Sequence, residues 1–382
     1  MKKVYFDNAA TTQMREDVIS SMTEVMTLEY GNPSSTHAYG RSAKSLLENC
    51  RKEIAKILNA NAGEIVFTSG GTESDNLILI SAVKDLQVKR IITSKIEHHA
   101  VLHTLEWLEN EYDLIVEYVQ LDACGMVVMD DLREKLENQS YGKTLVSLMH
   151  VNNEIGNILD IQQVAELCKA NNALFHSDTV QSVGHFELDF QKTPIDFATA
   201  AAHKFHGPKG AGFAFIRKNS GLKPLIHGGA QERGLRAGTE CLYAIAGMTE
   251  ALKLAYHKLE KERKYILEIK NYFKESLKAN FPDVKFNGNC DNDENSTYTL
   301  LNVCLPIPEE KAMLLLFQLD LKGIACSKGS ACQSGSVGGS HVLSEILSEE
   351  DLKKPSIRFS FSHFNKKEEV DYVIEVLKEF IG

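Results

Sequence analysis

Between residues 63 and 216 the chain alternates short apolar runs with stretches in which apolar residues recur at helical spacing. The runs fall at 64–68, 90–94, 114–121, 144–151, 173–178, 195–202 and 212–216, and most of the segments between them, 161–171 for example, read as amphipathic helices. Strands alternating with helices predict an α/β domain on a mostly parallel sheet. Upstream, the pattern gives an extended arm over 1–13, then helices over 16–28 and up to about 59, separated by the turn cluster Tyr30-Gly31-Asn32-Pro33-Ser34-Ser35. Downstream, residues 248–280 hold neither Gly nor Pro and keep helical spacing, which predicts one long helix or two nearly continuous ones. Strand-like pieces near 297–304 and 356–362, with helices near 309–321, 340–347 and 366–381, make a smaller α+β unit. The expected division is an arm over 1–15 belonging with the small domain, a large domain over 16–260 and a small one over 261–382.

Composition narrows the class of protein. A chain of 382 residues, 43% hydrophobic, is long enough for a large domain and a smaller one. Its formal charge of −10 argues against direct nucleic-acid binding, which needs a basic surface. The N-terminal residues reach Asp7 before any apolar signal region, and no run approaches the roughly 20 apolar residues of a membrane span, so a soluble cytoplasmic protein is expected. The eight cysteines show neither a CxxC pair nor zinc-site spacing, so no disulfide framework and no metal are expected.

In a parallel sheet, ligands gather where strands end, and the residues there are unusual. After the first strand, Ser69-Gly70-Gly71-Thr72-Glu73-Ser74 opens a helix and offers free N–H groups to an anion, although it could equally be an ordinary capped turn. It is neither a P-loop nor a dinucleotide fingerprint. Glu97-His98-His99 follows the second strand, Asn152-Asn153-Glu154 the fourth, and His176-Ser177-Asp178-Thr179-Val180-Gln181 spans the end of the fifth. Lys204 stands just past the run that ends at Ala202. Taken alone, Lys204 reads as a surface lysine and His98 as polar surface. Together the strand ends supply an anion cradle, a ring that can stack, an amide, a carboxylate and an amine, which are the separate needs of pyridoxal phosphate.

Two further stretches stand apart. Residues 224–239 carry four glycines and two arginines without a core-forming period, which predicts a binding loop. Ser327-Lys328-Gly329-Ser330-Ala331-Cys332-Gln333-Ser334-Gly335-Ser336-Val337-Gly338-Gly339-Ser340 is mostly Gly and Ser, so a mobile exposed segment bearing one thiol is expected. A swinging thiol suits a sulfur carrier; the alternative is a fortuitous cysteine on a linker.

These motifs, with Tyr5-Phe6-Asp7-Asn8-Ala9-Ala10-Thr11-Thr12, His203-Lys204, Arg236-Ala237-Gly238-Thr239 and Ser356-Ile357-Arg358-Phe359-Ser360, make the chain resemble cysteine desulfurases of the NifS/IscS type. The resemblance covers nearly the whole length and implies the class-V aminotransferase-like scaffold of PLP fold type I. By that resemblance Lys204 is the catalytic lysine that binds pyridoxal 5'-phosphate as a Schiff base, and His98 stacks on the ring and serves as acid or base. Asp178 pairs with the pyridine nitrogen, Gln181 and Asn153 flank the ring hydroxyl, and Gly71, Thr72 and His203 hold the phosphate. Thr239 reaches the phosphate from a second subunit, which implies a homodimer. Arg358 clamps the carboxylate of L-cysteine with Asn32 beside it, and Cys332 takes the sulfur as a persulfide, leaving L-alanine. An acceptor protein for iron-sulfur cluster assembly or tRNA thiolation is implied as partner.

Two positions depart from the family pattern: Ala201 replaces the usual phosphate-binding serine, and His363 stands where relatives often carry an arginine. The rival readings are a selenocysteine lyase or aminotransferase of the same fold, and a non-catalytic sulfur-relay or scaffold-binding subunit.

Overall fold

The computed structural model describes residues 2–328 and 339–381. Among them the strands are β1 (Val4–Tyr5), β2 (Ile65–Thr68), β3 (Arg90–Thr93), β4 (Ile115–Tyr118), β5 (Thr144–Ser147), β6 (Leu174–Asp178), β7 (Phe197–Ala201), β8 (Gly212–Ile216), β9 (Lys285–Phe286), β10 (Leu300–Cys304), β11 (Ile324–Ala325) and β12 (Ser356–Ser360). The helices are α1 (Glu16–Leu28), α2 (Ala38–Ile57), α3 (Gly71–Lys84), α4 (His99–Glu111), α5 (Met129–Glu137), α6 (Ile161–Ala170), α7 (Leu242–His257), α8 (Leu259–Asn280), α9 (Glu309–Leu321), α10 (His341–Ile346), α11 (Glu349–Leu352) and α12 (Lys367–Ile381).

A seven-stranded sheet in the order β2-β8-β7-β6-β5-β3-β4 dominates the molecule. Strands β3 to β7 run parallel, whereas β8 is antiparallel to both β2 and β7. The expected mostly parallel sheet is therefore present, with one reversed strand that apolar patterning could not reveal. Alternate residues face opposite sides, as a pleated strand requires. Phe67, Ile92 and Val146 pack into a core with α1, α2, α6 and α7, while Val66, Ile91 and Leu145 pack against α3 and α4. Covering both faces explains why these strands are apolar throughout.

The second half builds a separate hydrophobic cluster. Strands β12-β10-β9 form an antiparallel sheet, and β1 pairs in parallel with β11, so the N-terminal arm joins the C-terminal cluster. Phe6, Phe273, Phe359 and Phe361 meet there with ring centroids 4.9 to 6.4 Å apart. The uninterrupted helical pattern resolves into two helices, α7 and α8, which meet at Lys258. Leu252 of α7 faces the first core, and Ile266, Ile269 and Phe273 of α8 face this one. Among the described residues, no helix is long and apolar enough to cross a membrane.

Candidate active site

Strand β7 delivers the lysine. After Ala201 the chain makes one short turn, Ala202–Lys204, before returning as antiparallel β8. The N-terminal arm straps this turn: Thr12 N–H donates to the His203 carbonyl at 2.8 Å, and His206 N–H donates to Thr12 Oγ1 at 2.7 Å. Lys204 Nζ donates to the carbonyls of Ala9 (2.7 Å) and Ala10 (3.0 Å), and the Lys204 carbonyl lies 3.0 Å from His185 Nε2.

The cradle follows β2. Gly70 has φ 152°, which favours glycine, and as N-cap it has no side chain to satisfy the first N–H groups of α3. Gly71 is needed for space, because a Cβ there would lie 2.7 Å from Val180 Cγ2. The open helix start, with Thr72 beside it, suits a phosphate.

His98 is the N-cap of α4 and its Nδ1 accepts the Ala100 N–H at 3.1 Å. Burial lowers its pKa, opposed in part by Asp178, so a neutral ring is favoured. Asn152 spends its side-chain oxygen on the N–H groups of Glu154 and Ile155, which leaves Asn153 as the amide that lines the cleft. Asp178 ends β6, and its Oδ1 accepts the Val180 N–H at 2.9 Å. Gln181 Nε2 donates to the Ala9 carbonyl at 3.0 Å. Burial, followed by repulsion from Lys204, pushes His203 down to about 4.

Arg358 enters from the other sheet, in the middle of β12, at 1% exposure. One terminal nitrogen donates to the Asn153 carbonyl at 2.8 Å and the other to Asp7 Oδ1 at 3.1 Å. Its Nε is buried without a partner among the described residues. A carboxylate is the group that would complete it.

Nine of the twelve residues singled out from sequence line one cleft of about 800 Å³: Gly71, Thr72, His98, Asn153, Asp178, Gln181, His203, Lys204 and Arg358. Asn32 does not join them; its Oδ1 accepts the Ser34 N–H in the turn before α2. Thr239 is exposed on the 224–239 loop and outside the cleft of its own chain. That loop is anchored where Arg236 forks onto Glu73 of α3, at 2.9 and 3.3 Å. Cys332 lies outside the described residues. His363 packs 4.6 Å from the His206 ring and 3.7 Å from Glu262, away from Arg358.

Sequence reasoning missed Asp75. It lies on α3, fully buried, lines the cleft, and places Oδ1 3.3 Å from His176 Nε2, whose Nδ1 is 2.9 Å from Ser147 Oγ. Burial and then Asp178 hold its carboxyl well above the usual range, and burial pushes His176 down to about 4. An acid set among Ser74, Leu77 and Ile78 on a buried helix face was the available signal. Ala201 lines the cleft and brings no hydroxyl to it. Among the described residues, no His, Cys, Asp and Glu groups are placed to hold a metal ion.

Comparison with known proteins agrees with this geometry. The family model described as aminotransferase class-V matches residues 4–373. A cysteine desulfurase IscS of Dictyoglomus turgidum is 40% identical over 382 residues, covering 100% of this chain and 95% of the relative. A solved NifS-like protein superposes with a TM-score of 0.89 at 34% identity, covering 99% of each chain. A structure described as SspA in complex with cysteine superposes with a TM-score of 0.81 at 30% identity, covering 95% of this chain and 100% of that one. A family match and full-length relatives of this kind, over a cleft assembled from five strand ends and an arginine, lead to one assignment: the chain belongs to the class-V aminotransferase family, in its cysteine desulfurase branch.

Proposed function

We propose that this protein uses pyridoxal 5'-phosphate to take sulfur from L-cysteine, with L-alanine as the product and the Cys332 thiol as first sulfur acceptor. The observation that carries the reading is the convergence of Lys204, Asp178, His98, the Gly71-Thr72 cradle and Arg358 on one cleft. Those residues fit the cofactor: a glycine-limited helix start for phosphate, an acid at the pyridine end, a neutral imidazole on the wall and an amine between them. When bound, pyridoxal phosphate withdraws electrons from the substrate Cα and so acidifies its proton.

The protein's own residues do the rest. Gly71, Thr72 and His203 hold the phosphate, Asp178 faces the pyridine nitrogen, and Asn153 with Gln181 flanks the ring hydroxyl. Arg358 binds the substrate carboxylate through Nε and the N–H groups that Asn153 and Asp7 leave over. Lys204 Nζ, held over the cleft by the Ala9 and Ala10 carbonyls, receives the Cα proton, and neutral His98 serves as the second proton carrier. As the Cys332 thiolate attacks the substrate sulfur, an S–S bond forms, the Cβ–S bond breaks and Cβ takes a proton. L-cysteine plus a protein thiol thus gives L-alanine plus a protein persulfide.

We further infer a homodimer in which Thr239 reaches the partner's phosphate, and an acceptor protein serving iron-sulfur cluster assembly or tRNA thiolation. The seven described cysteines carry free thiols, which suits a reducing cytoplasm.

The purified protein is expected to be yellow, and borohydride should fix a pyridoxyl group on the Lys204 peptide, detected by mass spectrometry. With L-cysteine and a reductant it should release alanine and sulfide. Cys332→Ala should keep the colour and lose at least about 100-fold in sulfide release. A colourless protein, or full activity in Cys332→Ala, rejects the reading.

A further inference from the structure

We propose that Asp7 is the positioning residue of the carboxylate clamp and ties that clamp to the root of the segment that carries Cys332. The inference rests on the reading of Arg358 as the group that binds the substrate carboxylate. Its own basis is the triangle that Arg358 and Asp7 make with Ser327, set against three forked arginine–carboxylate pairs of this molecule; Arg90, by comparison, also meets Glu117 through one oxygen at 3.1 Å but has no third partner on that oxygen among the described residues. Arg15 forks onto Glu262 at 2.8 and 2.7 Å, Arg51 onto Glu232 at 2.6 and 2.7 Å, and Arg236 onto Glu73 at 2.9 and 3.3 Å. Each uses two nitrogens on two oxygens, so that both carboxylate oxygens are engaged by one guanidinium, although Arg15 Nε, like Arg358 Nε, is left without a partner among the described residues. Arg358 and Asp7 do not pair in this way. A single oxygen, Asp7 Oδ1, takes one terminal nitrogen at 3.1 Å, the Asn153 carbonyl takes the other at 2.8 Å, and Nε is left over.

Two fixed nitrogens on opposite flanks stop a planar guanidinium from rotating, so its remaining N–H groups keep one direction. Asp7 therefore orients the fork without filling it. The same Asp7 oxygen also accepts the Ser327 hydroxyl at 2.7 Å. Ser327 in turn pairs with Arg358 through the backbone in both directions, at 3.2 and 2.7 Å. Asp7, Ser327 and Arg358 thus form a closed triangle in which every pair is in contact, and Ser327 is five residues before Cys332 in sequence. A substrate carboxylate on Arg358 places a second anion on the guanidinium and weakens its hold on Asp7, leaving Ser327 as the stronger partner of that oxygen. Occupancy of the clamp is in this way transmitted to the root of the thiol-bearing segment.

The test uses the holoenzyme and two readouts: calorimetric binding of L-alanine, which has the carboxylate but no sulfur to transfer, and steady-state turnover of L-cysteine. Asp7→Ala is expected to weaken alanine binding and raise KM about 10-fold, and Asp7→Asn, whose amide oxygen can accept both hydrogen bonds, to restore both to within about three-fold of wild type. Ser327→Ala is expected to leave alanine binding within about two-fold while kcat falls about five-fold. Should Asp7→Ala fail to fold, Asp7→Glu, which keeps the charge but displaces it by one methylene, must raise KM with the cofactor colour intact. Wild-type KM and alanine binding in folded Asp7→Ala or Asp7→Glu, or wild-type kcat in Ser327→Ala, overturns the proposal. Arg358→Lys separates the two failures. If it leaves KM unchanged, the clamp reading falls and this inference with it; if it raises KM while Asp7→Ala or Asp7→Glu does not, only this inference falls.

Discussion

On the floor of the cleft, acids are enclosed by the sheet; at its rim, acid and arginine share a partly open edge. Asp75 is fully buried beside Asp178, and Glu97, which lies behind the lining residue Met149 as the layer beneath the floor and accepts the Met149 N–H and the Ser94 hydroxyl, is pushed up to about 8, first by burial. His176, between Asp75 and Ser147, is held neutral by burial. At the rim, Asp7 keeps 19% of its side chain exposed and balances Arg358. The floor thus lowers its charge by keeping protons on carboxyls, and the rim by pairing opposite charges. A buried group that is already neutral responds little to what binds, whereas a half-filled ion pair has to respond.

The sharpest way to break this contrast is to remove one acid at a time. On the proposed function, Asp178→Asn is expected to lower turnover of L-cysteine at least about 100-fold and to weaken cofactor retention, because it removes the acid proposed to face the pyridine nitrogen. Asp75→Asn replaces a protonated carboxyl with an amide of the same shape and should change turnover by less than about three-fold. Equal losses at the two positions would erase the distinction between a working acid and a neutral neighbour.

A smaller effect is expected at the cradle. Gly71→Ala puts a methyl 2.7 Å from Val180 Cγ2, so either the helix start or the valine must shift. Equilibrium dialysis should show the cofactor bound about 10-fold more weakly. Wild-type affinity would mean that the helix start does not carry the phosphate.

The smallest effect concerns stability on the floor alone. Glu97 has a folded pKa of about 8 against an ordinary 4.5, so between those values the folded state holds a proton that the unfolded state has lost. The stabilisation is complete below the ordinary value and is lost as pH rises toward 8. The urea midpoint of the wild type should therefore fall more steeply from about pH 6.5 to about pH 8 than that of Glu97→Gln. The difference between the two curves cancels the buried histidines, which Glu97→Gln leaves in place. Parallel curves would place an ionised Glu97 on the floor.

Much of the floor was legible in the sequence because it sits at strand ends. The apolar runs locate β2, β3, β5, β6 and β7, and the residues that follow each run line the cleft. Asp75 escaped because a helical acid gives no sign of which way it faces until α3 is laid on the sheet. The Ala9 and Ala10 carbonyls that hold Lys204 Nζ escaped because backbone groups carry no residue signature. Strands β1, β9 and β11 are two residues long, too short for alternation to register, and the reversed direction of β8 leaves no trace in its apolar pattern. Two nearly continuous helices were one of the two expected outcomes for this stretch, but the place of the break between α7 and α8 was silent, since Lys258 without Gly or Pro nearby continues helical spacing. Asn32 was the opposite case: a motif residue outside the cleft of its own chain, whose side-chain oxygen accepts a hydrogen bond within its own turn.

The pairing of β1 with β11, and of Asp7 with Ser360, also sets an order of assembly during synthesis. The arm leaves the ribosome first, but its partners are made more than 300 residues later, which at 5–20 residues per second is a wait of roughly 16–65 s. The seven-stranded sheet needs nothing beyond Ile216 to pair its strands. Its strand ends can be in place while the arginine and aspartate of the rim are still apart, so a nascent chain acquires the surface proposed for the cofactor before it acquires the proposed grip on an amino acid.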